Sequence, residues 1–173
     1  MRPLTRTLGL AALLIALPAW AHAETYLSAL AGVSFGGSAP MSRPVFGAGV
    51  TFSNASAGLE LEYATASGFA GAGSASREST FMASIVGGSN VRGMGVKPFL
   101  VAGAGLLQTT NGSTTSEDLG FDLGAGGSVI VSPHIGVRGD GRYYRLLKSG
   151  AGALPTTGTF GFWRAAASLL IAF

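Results

Sequence analysis

Glu60 and Glu62 are the first residues in this chain whose type and spacing could do chemistry. On an extended strand they would share one face roughly 6.5 to 7 Å apart, a separation found between the acid and base of inverting glycosidases. The same alternation, however, puts Arg138, Asp140 and Arg142 on one face of another segment and Arg164 on a third. Carboxylates opposite guanidiniums pair with them and leave no cleft for a sugar, so the two glutamates are read as structural. His134 is the second candidate, with Ser132 two residues before it as a conceivable nucleophile. Ser132-Pro133-His134 reads better as a tight turn, and with no cysteine and no second histidine beyond His22 a zinc site is not expected. The pairs Gly47 and Gly49, Gly103 and Gly105, and Gly124 and Gly126 could suggest phosphate cradles, but none opens a helix. Glycines inside strands instead relieve crowding. No catalytic residue, cofactor or metal is therefore expected.

The chain begins with the three parts of a secretory signal peptide. Arg2 and Arg6 precede an uncharged stretch from Thr7 to Trp20, and Ala21-His22-Ala23 ends it. That stretch is shorter than the eighteen or so apolar residues of a bilayer-spanning helix, so cleavage after Ala23 is expected, with residues 24–173 as one mature domain. Without Arg2 and Arg6, nine basic residues face eight acidic ones, and no basic footprint for nucleic acid remains. The absence of cysteine argues against a small disulfide-stapled scaffold. Charged residues are only 11% of the chain, against a usual value of about 25%, yet no apolar run after residue 23 could span a membrane as a helix. A chain that is apolar on average without such a helix suggests strands apolar on one face only, as in transmembrane barrels.

Period-two patterning supports this in eight segments bounded by Gly, Ser, Asn and Pro. In Thr25 to Phe35, the residues Leu27, Ala29, Ala31, Val33 and Phe35 share a face. In Val45 to Phe52, Phe46, Ala48, Val50 and Phe52 alternate with Gly47, Gly49 and Thr51. Gly58 to Ala66 sets Leu59, Leu61 and Tyr63 against Glu60 and Glu62. Four segments follow at Thr80 to Gly88, Val96 to Gln108, Gly120 to Val131 and Ile135 to Leu146. In the last, Thr159 to Phe173, Trp163, Ala165, Ala167, Leu169, Ile171 and Phe173 oppose Arg164, Ala166 and Ser168. Helices are disfavoured because Gly recurs inside nearly every segment, at about 1 kcal/mol each relative to Ala.

The connections alternate in length, as in barrels with short turns at one end and long loops at the other. Gly36 to Pro44, Ser67 to Ser79, Thr109 to Leu119 and Leu147 to Gly158 are read as long. Ser53 to Ala57 and Ser132 to His134 are short, and Ser89 to Gly95 is intermediate. Both termini then lie at the short-turn end. The main rival, a soluble sandwich or lipocalin-like barrel, would turn the apolar faces inward and leave Glu60, Glu62, Arg138, Asp140 and Arg142 outside.

Lys97-Pro98-Phe99-Leu100-Val101-Ala102-Gly103-Ala104-Gly105-Leu106 resembles a strand of the small outer-membrane β-barrel proteins of the OmpA-like and opacity-protein type. Phe121 to Gly126, followed by Ser132-Pro133-His134 and by Val137 to Tyr144, is similar to the penultimate hairpin of that family. The resemblance implies an all-β fold, an eight-stranded antiparallel up-and-down transmembrane barrel in the bacterial outer membrane. It implies that terminal Phe173 is the signal read by the barrel-assembly machinery. It also implies a monomer whose surroundings are outer-membrane lipid and lipopolysaccharide. The peptidoglycan-binding domain of larger members has no counterpart, so cell-wall tethering is not expected.

A bore of eight strands is only wide enough for side chains to fill. Glu60, Glu62, Asp122, Arg138, Asp140, Arg142 and Arg164 lie opposite the apolar stripes and are expected to point inward, where buried charges must pair. Tyr26, Phe46, Phe52, Tyr63, Phe81, Phe99, Phe121, Tyr143, Trp163 and Phe173 are the expected aromatic girdles of the outer wall. The resulting expectation is a non-enzymatic barrel with a filled lumen that contributes to envelope integrity or presents long loops to a surface partner. The alternative is a lipid-modifying enzyme resembling the lipid A deacylases. Their His-x-Ser pattern is missing, because Gly136 stands two residues after His134.

Overall fold

A computed structural model describes residues 24–37, 39–54, 56–68, 76–88, 95–111, 113–148 and 160–173. The expected signal peptide, residues 1–23, lies outside the described residues. The remainder forms eight antiparallel strands: β1 Glu24–Gly36, β2 Ala39–Ser53, β3 Ala57–Ser67, β4 Ser76–Gly88, β5 Lys97–Asn111, β6 Thr114–Ser132, β7 Ile135–Lys148 and β8 Gly161–Ala172. Each pairs with the next in sequence, and β8 returns to β1, closing a barrel. The closing seam runs in unbroken register from Tyr26↔Ala172 to Phe35↔Trp163. Closure gives each strand two neighbours and removes the exposed edges of an open sheet, which is what lets strands cross hydrocarbon.

The alternation sets which way each face points. Leu27, Val33, Phe46, Tyr63, Phe81, Ile85, Leu100, Leu123, Ile135, Val137, Trp163 and Leu169 are all exposed on the outer wall. An apolar surface this continuous is far larger than a water-soluble monomer presents. The inner face instead buries Glu60, Glu62, Asp122, Arg138, Asp140, Arg142 and Arg164, each no more than 8% exposed. This inverted distribution rules out the soluble sandwich or lipocalin reading.

The strands run further than their apolar patterning indicates. A tilted strand needs about 9 to 11 residues to cross a bilayer, whereas β6 has 19 residues and β2 and β5 have 15 each. The expected long loop at Thr109 to Leu119 is a strand hairpin, in register from Gln108↔Glu117 to Asn111↔Thr114. Gln108 Nε2 donates to Glu117 Oε1 at 2.8 Å, and the Thr110 and Thr115 hydroxyls meet at 3.2 Å. The expected loop at Gly36 to Pro44 is likewise mostly strand, since β2 begins at Ala39. Gly36 and Gly37 adopt positive φ of 68° and 59° there, which glycine does at no steric cost. The connection before β4 is also shorter than expected, because β4 begins at Ser76.

At the opposite end, Asn54 Oδ1 accepts the backbone N–H groups of Ser56 and Ala57, at 3.0 and 2.9 Å, fixing the β2–β3 turn. Pro133 and His134 alone join β6 to β7. The Ala172 N–H donates to the His134 carbonyl at 2.9 Å and that of Phe173 to the Thr25 carbonyl at 3.0 Å. Both ends of the barrel domain therefore sit at the short-turn end, as the alternation of connection lengths predicts.

Two expected girdle aromatics point the other way. Phe99 is 8% exposed and faces the lumen, because β5 turns Leu100, Ala102, Ala104 and Leu106 outward and its odd positions in. Tyr26 shares the inner face of β1 with Leu30 and Ser34, opposite Leu27 and Val33. The other eight lie on the outer wall, among them Trp163, whose ring sits 5.0 Å from that of Tyr143.

Candidate functional site

Each charged lumenal residue is delivered by strand alternation. Glu60 and Glu62 come from β3, Asp122 from β6, Arg138, Asp140 and Arg142 from β7, and Arg164 from β8. Because these strands face one another across a narrow bore, side chains distant in sequence meet at its centre. All seven residues singled out in the sequence are brought together there, joined by eight ion pairs.

Arg142 is the hub. Its Nη2 lies 2.6 Å from Glu60 Oε1 and 3.5 Å from Glu62 Oε2, its Nη1 3.2 Å from Asp122 Oδ2, and its Nε 2.8 Å from Asp140 Oδ2. One guanidinium thus meets four carboxylates, which its planar fork of five donors permits and a lysine ammonium would not. Arg138 pairs with Glu60 and stands 3.3 Å from Asp140 Oδ1. Arg164 reaches Glu62 at 2.7 Å and Asp140 at 4.0 Å. Neutral neighbours complete the shell: Ser84 Oγ donates to Asp122 Oδ1 at 3.1 Å and Thr51 Oγ1 to Glu60 Oε2 at 3.3 Å. Aromatic faces cover the outer guanidiniums, with Arg138 4.1 Å above the Phe99 ring and Arg164 5.1 Å above that of Tyr144.

Room for these groups comes from lumenal glycines. A Cβ at Gly103 would fall 2.2 Å from Ser84 Oγ and 2.5 Å from Asp122 Oδ1. At Gly124 it would fall 2.7 Å from Arg142 Cγ, and at Gly126 2.5 Å from Phe99 Cζ. Gly103, Gly124 and Gly126 thus leave space on the inner wall beside Asp122, Arg142 and Asp140.

Toward the long-connection end the bore is closed by an apolar layer built from Leu30, Val45, Ala64, Ala66, Met82, Leu107, Tyr144 and Phe162. Tyr144 and Phe162 stack nearly parallel at 5.0 Å. Sequence reasoning passed over this layer and Glu78, which is 2% exposed and the register partner of Ala66 in the layer. The signal was present: extending the alternation Ser84, Met82, Thr80 back by one more step reaches Glu78, and the step after Arg142 reaches Tyr144.

Among the described residues no nucleophile meets a histidine base. His134 is exposed in the β6–β7 turn at the short-turn end, and Ser132 is the last residue of β6 before that turn. Among the described residues no group of three or more His, Cys, Asp or Glu is arranged to hold a metal ion.

This architecture has known counterparts. The sequence matches the profile of the outer membrane protein beta-barrel domain family over residues 7–163, and the chain belongs to that family. Its fold is similar to that of Neisserial surface protein A, at a TM-score of 0.68 and 15% identity, covering 87% of this chain and 97% of that one. It is also similar to the N-terminal β-barrel domain of Pseudomonas aeruginosa OprF, at a TM-score of 0.60 and 14% identity, over 87% and 97% of the two chains. The outer membrane enzyme PagL shares the fold at a TM-score of 0.52 and 18% identity, over 84% and 98%. No match is found among curated protein sequences. At these identities the solved structures establish the fold alone, and that fold serves an enzyme as well as a surface protein.

Proposed function

We propose that this protein is a non-enzymatic, non-conducting outer-membrane barrel that contributes to envelope integrity or offers its loop end to a surface partner. The observation that carries the reading is Arg142, fully buried and ion-paired to four carboxylates across the middle of the bore. A lumen crossed by paired charges below and stacked aromatics above supports a bore without a continuous water path. In this reading residues 1–23 direct export and are removed. The termini face the periplasm, the outer wall meets lipid and lipopolysaccharide, and Phe173, exposed at the end of β8, engages the barrel-assembly machinery. The protein works as a monomer.

The shared fold with PagL favours a second reading, a lipid-modifying enzyme. Against it stands the position of His134, the one histidine of the mature chain, at the end opposite the long connections. Mass spectrometry of lipid A from cells overproducing the protein separates the two. The proposal predicts a composition identical to that of vector controls, whereas loss or transfer of an acyl chain would overturn it.

A further inference from the structure

Where the charge network meets the apolar layer, the bore holds a small cavity with about 10 Å³ open to the centre of a water molecule. That is room for a single water and far below the size of an organic-ligand site. Val45 and Phe162 give it apolar walls, while Glu78 and Thr80 from β4, Tyr144 from β7 and Arg164 from β8 bring polar groups to it. Each of these four is at most 5% exposed. Each also carries buried polar atoms with no hydrogen-bond partner among the described residues: Glu78 Oε1, Thr80 Oγ1, the Tyr144 hydroxyl, and Arg164 Nε and Nη1. Arg164 directs Nη2 to Glu62 and Asp140, and among the described residues no ion pair reaches Glu78. Buried polar groups are as a rule paired with protein or with ordered water, so four such side chains around one cavity of this size call for a shared partner.

We infer that this cavity is a binding site for one ordered water, which bridges Glu78 to Arg164 and makes Glu78 a fifth carboxylate of the lumenal network. A water molecule accepts two hydrogen bonds and donates two. Arg164 and the Tyr144 hydroxyl donate to it, and Glu78 and the Thr80 hydroxyl accept from it. Charge selects the class of ligand: the guanidinium on the wall disfavours a cation, the carboxylate disfavours an anion, and a neutral water suits both. Such a bridge is nearly as favourable as a direct hydrogen bond. The site rests on the lumenal geometry and does not depend on the proposed function.

The test is a crystal structure of the detergent-folded protein, grown in rubidium chloride, at a resolution that shows ordered water. A peak should stand about 2.7 to 3.2 Å from Glu78 Oε1 and from an Arg164 nitrogen, with no anomalous signal from rubidium. In solution, oxygen-17 relaxation dispersion of the solvent counts long-lived internal waters. Glu78→Leu, which removes the acceptor and fills the space with methyl groups, should lower that count by about one while the barrel still changes gel mobility on heating. An empty cavity, a direct Glu78–Arg164 contact in its place, a rubidium peak, or an unchanged count in a folded Glu78→Leu variant would each overturn the inference. The crystallographic result on the unaltered protein stands even if Glu78→Leu fails to fold. None of these results bears on lipid A chemistry, so the inference and the proposed function fail separately.

Discussion

Replacing Arg142 by methionine, which keeps the bulk and removes the charge, should be the most damaging single change in this barrel. Asp122 has Arg142 as its one guanidinium partner in the network, at 3.2 Å, and would keep only the hydroxyl of Ser84. Glu60, Glu62 and Asp140 would be left sharing Arg138 and Arg164, so four buried carboxylates would face two cations. Removing one partner of a single buried pair costs about 3 to 5 kcal/mol, and Arg142 is a partner in four, so the loss should reach the upper end of that range. Adding Asp122→Asn should recover about 1 to 3 kcal/mol, the usual cost of a stranded buried polar group, making the two changes strongly non-additive. The control is Glu117→Ala on the exposed β5–β6 hairpin, where the lost contact is a single bond from Gln108. Exposed pairs are worth about 1 kcal/mol or less, and this one should cost no more. Denaturant unfolding of the detergent-folded protein, followed by Trp163 fluorescence, gives the midpoints. Equal, small shifts for Arg142→Met and Glu117→Ala, or simple additivity of Arg142→Met with Asp122→Asn, would refute the buried network.

Other expectations follow from the same geometry. Asp140→Ala should lower the unfolding midpoint clearly but less than Arg142→Met, because Arg138 and Arg142 each keep at least one carboxylate; an effect no larger than that of Glu117→Ala would place Asp140 in water. Gly103→Val should destabilise the fold, since its Cβ alone would meet Ser84, Asp122 and the Ala83 carbonyl; a midpoint unchanged from wild type would contradict the packing described. Proteases added to intact cells should cut within 67–79 before the strand-paired 109–119 hairpin, and should spare Ser53 to Ala57 and Ser132 to His134. Cleavage confined to those two short turns would invert the topology. His134→Ala should leave folding and lipid A composition unaltered in gel-mobility and mass-spectrometric assays.

The inner and outer faces of the mid-barrel were legible in the sequence because hydrocarbon outside and a narrow bore inside impose opposite demands on successive residues. Leu59, Leu61 and Tyr63 against Glu60 and Glu62 show that demand directly. Legibility ended where it lapsed. Residues 109–111 and 114–116 continue β5 and β6 above the apolar band, where neither face must be apolar, and the strands stay in register with the Thr110↔Thr115 pair between them. Phe99 was misplaced because an aromatic ring serves equally well as lipid anchor or as cover for a guanidinium, and only the phase of β5 decides between them. The hub role of Arg142 was beyond sequence reasoning altogether, since the shear that brings β3, β6 and β7 to one level is a property of the closed register.

Planar-bilayer recording of the purified, refolded protein is the most direct measurement of the central claim that the lumen is plugged. The barrel closed by Arg142, its four carboxylates and the Tyr144–Phe162 stack should show no discrete conductance steps. Stable unitary conductance from the wild-type barrel would contradict the account.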